Sequence, residues 1–170
     1  MRTVHTYGVD FIDDVEGRES FMYHDVEGNP TIGIGHLLTR SELTSGKICI
    51  DEEYIKYRHG LTDDQMDSLL RQDLYSVEYA LNYHIRVPVY QYQFDALASF
   101  TLNVGVGAFA DSTLLKKLNG GLYADVPTQL RRWIHITNKE GELEECVGLI
   151  KRRELDIKLW NNKWRIRYAT

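Results

Sequence analysis

A mostly helical α+β fold is what this sequence predicts, and three observations predict it. Between Phe21 and Gly35, two short apolar runs flank the turn residues Glu27-Gly28-Asn29-Pro30, the pattern of a β-hairpin. From Thr62, the capping box Thr62-Asp63-Asp64-Gln65 opens a stretch with Met66, Leu69, Leu70, Leu74, Val77 and Leu81 at helical spacing. Beyond Val87-Pro88, apolar-periodic segments recur with glycines between them, which reads as a succession of helices.

In order along the chain, Val9, Phe11, Ile12 and Val15 predict a short helix that ends at Glu16, with Gly17 as its stop. A strand from Phe21 to His24 leads into the turn, and Thr31 opens the returning strand. Gly33 and Gly35 alternate with Ile32 and Ile34, which predicts a strand face stripped of side chains and open to a bulky ligand. Between Thr39 and Gly60, Ile48-Cys49-Ile50 and Tyr54-Ile55-Lys56-Tyr57 alternate enough for an extra strand or a short helix. The long helix from Thr62 stops before Val87-Pro88, and Tyr90 to Asn103 forms the next, terminated by Gly105 and Gly107. Ser112 caps a short helix that Gly120-Gly121 stops. Residues 122–136 and 146–160 supply two more helices, separated by an acidic turn from Asn138 to Glu142.

Composition bounds the class. A chain of 170 residues, 43% hydrophobic and 26% charged, makes one ordinary domain or two small lobes sharing a helix, without repeats or low-complexity tracts. Met1 to Asp10 lacks a charged region followed by an apolar core, and no stretch approaches about eighteen apolar residues. The expectation is no signal peptide and no membrane anchor. Cys49 and Cys146 are expected to be free thiols, and without histidines at ligand spacing they predict no metal site; no cofactor motif is present. A net charge of -5 argues against nucleic acid. The end of the chain is different: Lys151, Arg152, Arg153, Lys158, Lys163, Arg165 and Arg167 outnumber Glu154 and Asp156, with Trp160, Trp164 and Tyr168 interleaved. Such a segment either touches anionic envelope polymers or is a terminal helix whose tryptophans cap the C-terminal half. The second reading is favoured.

The chemistry lies near the first hairpin. Hydrolysis of a glycosidic bond needs one carboxyl to protonate the leaving oxygen and a second, ionised, to activate water or stabilise an oxocarbenium-like centre. Glu16, at a helix C-terminus where the dipole and partial burial favour the protonated form, suits the acid. Asp25, near the turn and solvated, suits the base, and the Thr31 hydroxyl is placed to hold the water. Singly, each of these residues is more often an ordinary surface or turn residue.

Glu16, then Asp25, then Thr31, closing on Thr31-Ile32-Gly33-Ile34-Gly35-His36, resembles the catalytic signature of the phage-type lysozymes, the endolysin muramidases of tailed bacteriophages. Gln72-Asp73 resembles that family's carboxylate partner of the hairpin histidine, which implies a pair between His36 and Asp73. Phe94 to Phe100 with Asn103-Val104-Gly105, Ser112 to Asn119, Arg131-Arg132-Trp133 and Gly148 to Glu154 resemble its C-terminal lobe, so the likeness runs from about Glu16 to Trp160.

The resemblance implies a two-lobed lysozyme-like domain over 1–170. In it, a β-rich lobe at 12–62 and a helical lobe at 85–170 are joined by the helix at 62–84 and by the N-terminal helix. It implies Glu16 as general acid, Asp25 as the carboxylate that activates or positions water, and Thr31 as third member. Inversion at the anomeric carbon follows, for which carboxyls roughly 6.5 to 9.5 Å apart are expected. An arginine of the last helix pairs with the acid in relatives; Arg152 is chosen here over Arg153. Gly35, Leu37, Leu102, Asn103 and Ser112 are the candidate substrate contacts, although for Leu102 the favoured reading is a core residue on an apolar helix face. The implied substrate is the β-1,4 bond between N-acetylmuramic acid and N-acetylglucosamine of peptidoglycan, with chitin-like polymers weaker. A monomer is expected to leave the host cytoplasm for the cell wall through a separate holin-like, membrane-perforating protein. The alternatives are a non-catalytic peptidoglycan-binding or structural relative and a lytic transglycosylase, which needs the acid but neither Asp25 nor Thr31.

Overall fold

The computed structural model describes residues 1–26, 28–138 and 140–164. The chain divides into two compact units, Ile12–Tyr75 and Met1–Phe11 with Ser76–Thr170. Helix α1 (Thr6–Glu16) begins in the second of these and ends in the first.

In the unit 12–75, α1 stops at Glu16 because Gly17 takes the left-handed conformation, φ 76°. Strands β1 (Glu19–His24), β2 (Pro30–Gly33) and β3 (His36–Leu37) then form one antiparallel sheet in that order. Tyr23 faces Thr31 and His24 faces Pro30 across β1 and β2, with a bulge between Glu19 and Tyr23. The segment of uncertain assignment resolves into helix α2 (Arg40–Ser45) and a second hairpin of β4 (Ile48–Ile50) and β5 (Glu53–Ile55). Asp51 and Glu52 turn that hairpin with positive φ at both positions, 48° and 67°, as a two-residue turn of the primed type requires. Helix α3 (Asp63–His84) opens on the expected capping box: the Thr62 N–H donates to Gln65 Oε1 at 2.9 Å and the Gln65 N–H to Thr62 Oγ1 at 3.2 Å. Ile12, Ile32, Ile34, Leu38, Ile48, Ile50, Tyr57, Leu61, Met66, Leu69, Leu70 and Leu74 are the buried apolar residues among those described in this unit.

The other unit is built on α4 (Gln91–Val104) and α8 (Val147–Trp160), with α5 (Val106–Asp111), α6 (Thr113–Asn119) and α7 (Val126–Leu130) between them. Two expectations are corrected here. Gly107 does not end a helix; Gly105, at φ 90°, separates α4 from α5, and Gly107 lies within α5. Residues 131–137 are not helical. After Leu130 the chain leaves the helix, Trp133 packs edge-on against Phe100 at 5.4 Å, and β6 (His135–Thr137) pairs with β7 (Leu143–Glu145). Asn138 closes that hairpin, accepting at Oδ1 from the N–H of Glu140 and of Glu142.

The basic end of the chain is not an aromatic surface patch over the described residues. Trp160 is 4% and Trp164 5% exposed, the latter edge-on to both Tyr7 and Phe11. Arg152 and Arg153 are buried as well. Arg165, Arg167 and Tyr168 lie outside the described residues. Cys49 and Cys146 are free thiols. No helix among the described residues is long and apolar enough to cross a membrane.

Candidate active site

Glu16 is the last residue of α1, and its half-buried side chain lies against Gly35 in the turn between β2 and β3. A Cβ at position 35 would stand 2.9 Å from Glu16 Oε2 and 3.0 Å from Cδ, and Gly35 also has φ 74°. Only glycine gives the Glu16 carboxyl this seat. The notion of a bare strand face open to a ligand is therefore corrected. Gly33, at φ 68°, looks inward to Leu69, Leu61 and Met66, and Gly35 makes room for the acid itself. Gly35→Ala combines strain with displacement of Glu16, so it is expected to lower the melting temperature by several degrees and the turnover rate at least tenfold. Gly46→Ala is the control, since Gly46 has φ 70° with nothing within 4 Å: thermal melts should fall and activity should hold.

Asp25 follows β1, and Asn29 holds its carboxylate. The Asn29 N–H donates to Oδ1 at 2.8 Å and the Asn29 amide to Oδ2 at 3.2 Å, while the Asp25 N–H donates to the Asn29 carbonyl. Thr31 is 3% exposed and its hydroxyl donates to the same carbonyl at 3.1 Å, which leaves the oxygen lone pairs to accept from a water. Asn29 is thus the common partner of both residues; the sequence reading placed it in the turn and gave it no other part. Tyr23, also passed over, lies in the same field. Burial first, then the negative charges of Glu16, Glu19 and Asp25, push its phenol above the ordinary value.

His36, on β3, sits between two carboxylates. Nδ1 lies 2.9 Å from Asp73 Oδ2 on α3, and Nε2 lies 3.4 Å from Glu42 Oε2 on α2. Burial opposes the charged ring, but Asp73 and then Glu42 outweigh it, and the imidazole stands above its usual value. Glu42 is also the capping-box residue of α2, accepting from the Thr39 N–H at 2.7 Å. With a folded value raised above the unfolded one of about 6.5, the pair's contribution is complete below that pH and lost as pH rises through the folded value. The melting temperature of wild type minus that of His36→Asn should therefore be larger at pH 5.5 than at pH 9, by an amount equivalent to about 2 kcal/mol.

The remaining candidates lie in the other unit, Leu37 excepted. Leu37, on β3, is 55% exposed. Leu102 is half-buried on α4 and Asn103 is exposed, accepting from Arg153 Nη2 at 2.6 Å. Ser112 is withdrawn as a substrate contact. It is 5% exposed, and its hydroxyl donates to the Phe109 carbonyl and caps α6 by accepting from the Leu115 N–H. Arg152 and Arg153 have partners within their own unit. Arg152 Nη2 donates to Ser99 Oγ at 2.9 Å, Arg153 Nε lies 3.1 Å from Asp156 Oδ2, and the Arg153 guanidinium stands 5.0 Å over the Phe100 ring.

Residues 13–156 match the family described as phage lysozyme. The chain belongs to that family. It is 37% identical over 139 residues to a SAR-endolysin of Escherichia phage Mu, covering 82% of this chain and 70% of that one. An endolysin of Acyrthosiphon pisum secondary endosymbiont phage 1 is 33% identical over 155 residues, covering 91% and 95%. Among solved structures, an endolysin from Escherichia coli O157:H7 phage FAHEc1 superimposes with TM-score 0.81 at 31% identity, covering 98% of both chains. This phage lysozyme is a lysozyme-type glycosidase, and peptidoglycan is the substrate class that goes with the family.

Proposed function

We propose that this phage lysozyme hydrolyses the β-1,4 bond between N-acetylmuramic acid and N-acetylglucosamine, with Glu16 as general acid and Asp25 and Thr31 holding the attacking water. The observation that carries the reading is local: Glu16 is seated on Gly35, and Asp25 and Thr31 are both bonded to Asn29 across the β1–β2 turn. Glu16 delivers its proton to the glycosidic oxygen as the bond from the anomeric carbon breaks. Asp25, held in position by Asn29, takes a proton from water whose oxygen bonds to that carbon from the opposite face. The Thr31 oxygen, its own proton committed to Asn29, accepts a hydrogen bond from the same water. Asp25 then releases its proton to solvent and Glu16 regains one. His36, Asp73 and Glu42 hold β3 to α2 and α3 and take no proton in the reaction. Leu37, exposed on β3 of the same unit, is a substrate contact.

Such an enzyme serves host lysis, reaching the wall from the host cytoplasm after a separate membrane-perforating protein lets it out; the endolysin names of the relatives support that setting. The stereochemistry gives the test. Proton NMR of the first product should show the α anomer of the new reducing end, and a β anomer formed first would replace the water-activating role of Asp25 with that of a nucleophile.

A further inference from the structure

We infer that Arg18, two residues beyond the acid, is a positioning residue for Glu16. The inference rests on Glu16 being the general acid. Three segments meet at this one guanidinium: α1, α3 and the link into β1. Nε donates to Asp13 Oδ1 at 2.8 Å and Nη2 to Asp13 Oδ2 at 3.0 Å, a forked contact onto the last turn of α1. Nη2 also donates to Asp67 Oδ1 at 2.7 Å, and Nη1 reaches Asp63 Oδ1 at 3.4 Å, both in the first turns of α3. Arg18 itself lies between Gly17 and the start of β1.

Glu16 is bracketed by this clamp. Asp13 is one turn before it and Arg18 two residues after it, so neither α1 nor the entry to β1 can shift without breaking a charged fork. The left-handed Gly17 between them is otherwise a pivot, with nothing within 4 Å of where its Cβ would be. β1 leads to Asp25 and α3 carries Asp73, the partner of His36, so the clamp ties the acid to the elements that carry the rest of the site. A stability role alone explains Arg18 poorly. Its side chain is 34% exposed and those of Asp63 and Asp67 are 81% and 56%, and such exposed pairs contribute little to folding. A geometric role is different, because a displacement of about 1 Å in a catalytic group can cost on the order of a hundredfold in rate.

The test compares Arg18→Gln, Arg18→Lys, Asp13→Asn and the double variant Asp13→Asn/Arg18→Gln on purified peptidoglycan, at a temperature where thermal melts show each folded. The expected result is a fall in kcat of at least tenfold for Arg18→Gln, with KM within twofold of wild type. Arg18→Lys, which keeps the charge but not the fork, should fall between, and the double variant should be no worse than Arg18→Gln alone. Wild-type kcat in folded Arg18→Gln, or losses in the double variant that multiply, would overturn the assignment. If Arg18→Gln does not fold, Arg18→Lys and Asp13→Asn decide by the same split. Glu16→Gln run alongside separates the two claims: activity there removes the acid, whereas an inactive Glu16→Gln with a fully active Arg18→Gln removes only the clamp.

Discussion

Glu16→Gln is expected to reduce turnover on peptidoglycan by a factor on the order of 10² to 10⁴ while leaving the fold in place. The amide matches the carboxyl in shape, so the seat on Gly35 is kept and no new atom presses on the turn. What is lost is the proton. The O4 of the departing N-acetylglucosamine is a poor leaving group unless it leaves as an alcohol, and no water at neutral pH supplies that proton at a comparable rate. Circular dichroism and thermal melts should place Glu16→Gln within a few degrees of wild type, and a turbidity assay on permeabilised cells should show no clearing. Wild-type clearing by Glu16→Gln would remove Glu16 from the mechanism.

Asp25→Asn is expected to lose on the order of 10² to 10³ in rate, for a complementary reason and with a measurable structural cost. The amide cannot accept a proton from water. It also replaces one acceptor oxygen with a donor. Asp25 receives two hydrogen bonds from Asn29, one from the main chain and one from the side-chain amide, and in either orientation the new amide sets donor against donor at one of them. A loss of about 1 kcal/mol in the β1–β2 turn should accompany the loss of activity, visible in denaturant melts. Wild-type rates with only the stability loss would leave Asp25 as a turn residue and nothing more.

Much of this architecture was legible because its signals are local. The capping box at Thr62 and Gln65, the Ser112 cap and the stop at Gly17 are each decided within four or five residues, and each is where the sequence placed it. The failures have a common physical origin in contacts the local pattern cannot contain. Ile134 and Ile136 fit the end of a helix as well as a strand; Trp133 settles the matter by packing on Phe100, more than thirty residues earlier. Asn138 and Gly141, with β-branched Ile134, Ile136 and Thr137 before them, were the available hint of the hairpin.

The site divides the same way. Glu16, Asp25 and Thr31 stood out by residue type and, more sharply, by family likeness. Their supports did not. Spacing shows Gly33 and Gly35 as alternating glycines, but only the backbone reveals positive φ at both, and only the fold brings Glu16 onto Gly35. The Asn29 contact was within reach, since an Asp four residues before an Asn across a tight turn is a short-range pairing. The Arg18 contacts to Asp63 and Asp67 span 45 and 49 residues and had no local trace. The His36 and Asp73 contact spans 37 residues, and only the family likeness suggested it.

The proposed mechanism makes this phage lysozyme a hydrolase whose acid is Glu16. Its most direct test is the mass spectrum of soluble products released from purified peptidoglycan by wild type and by Glu16→Gln in parallel. Fragments with reducing muramic acid ends are expected from wild type and none from Glu16→Gln. Anhydro ends from wild type, or reducing ends from both proteins, would contradict it.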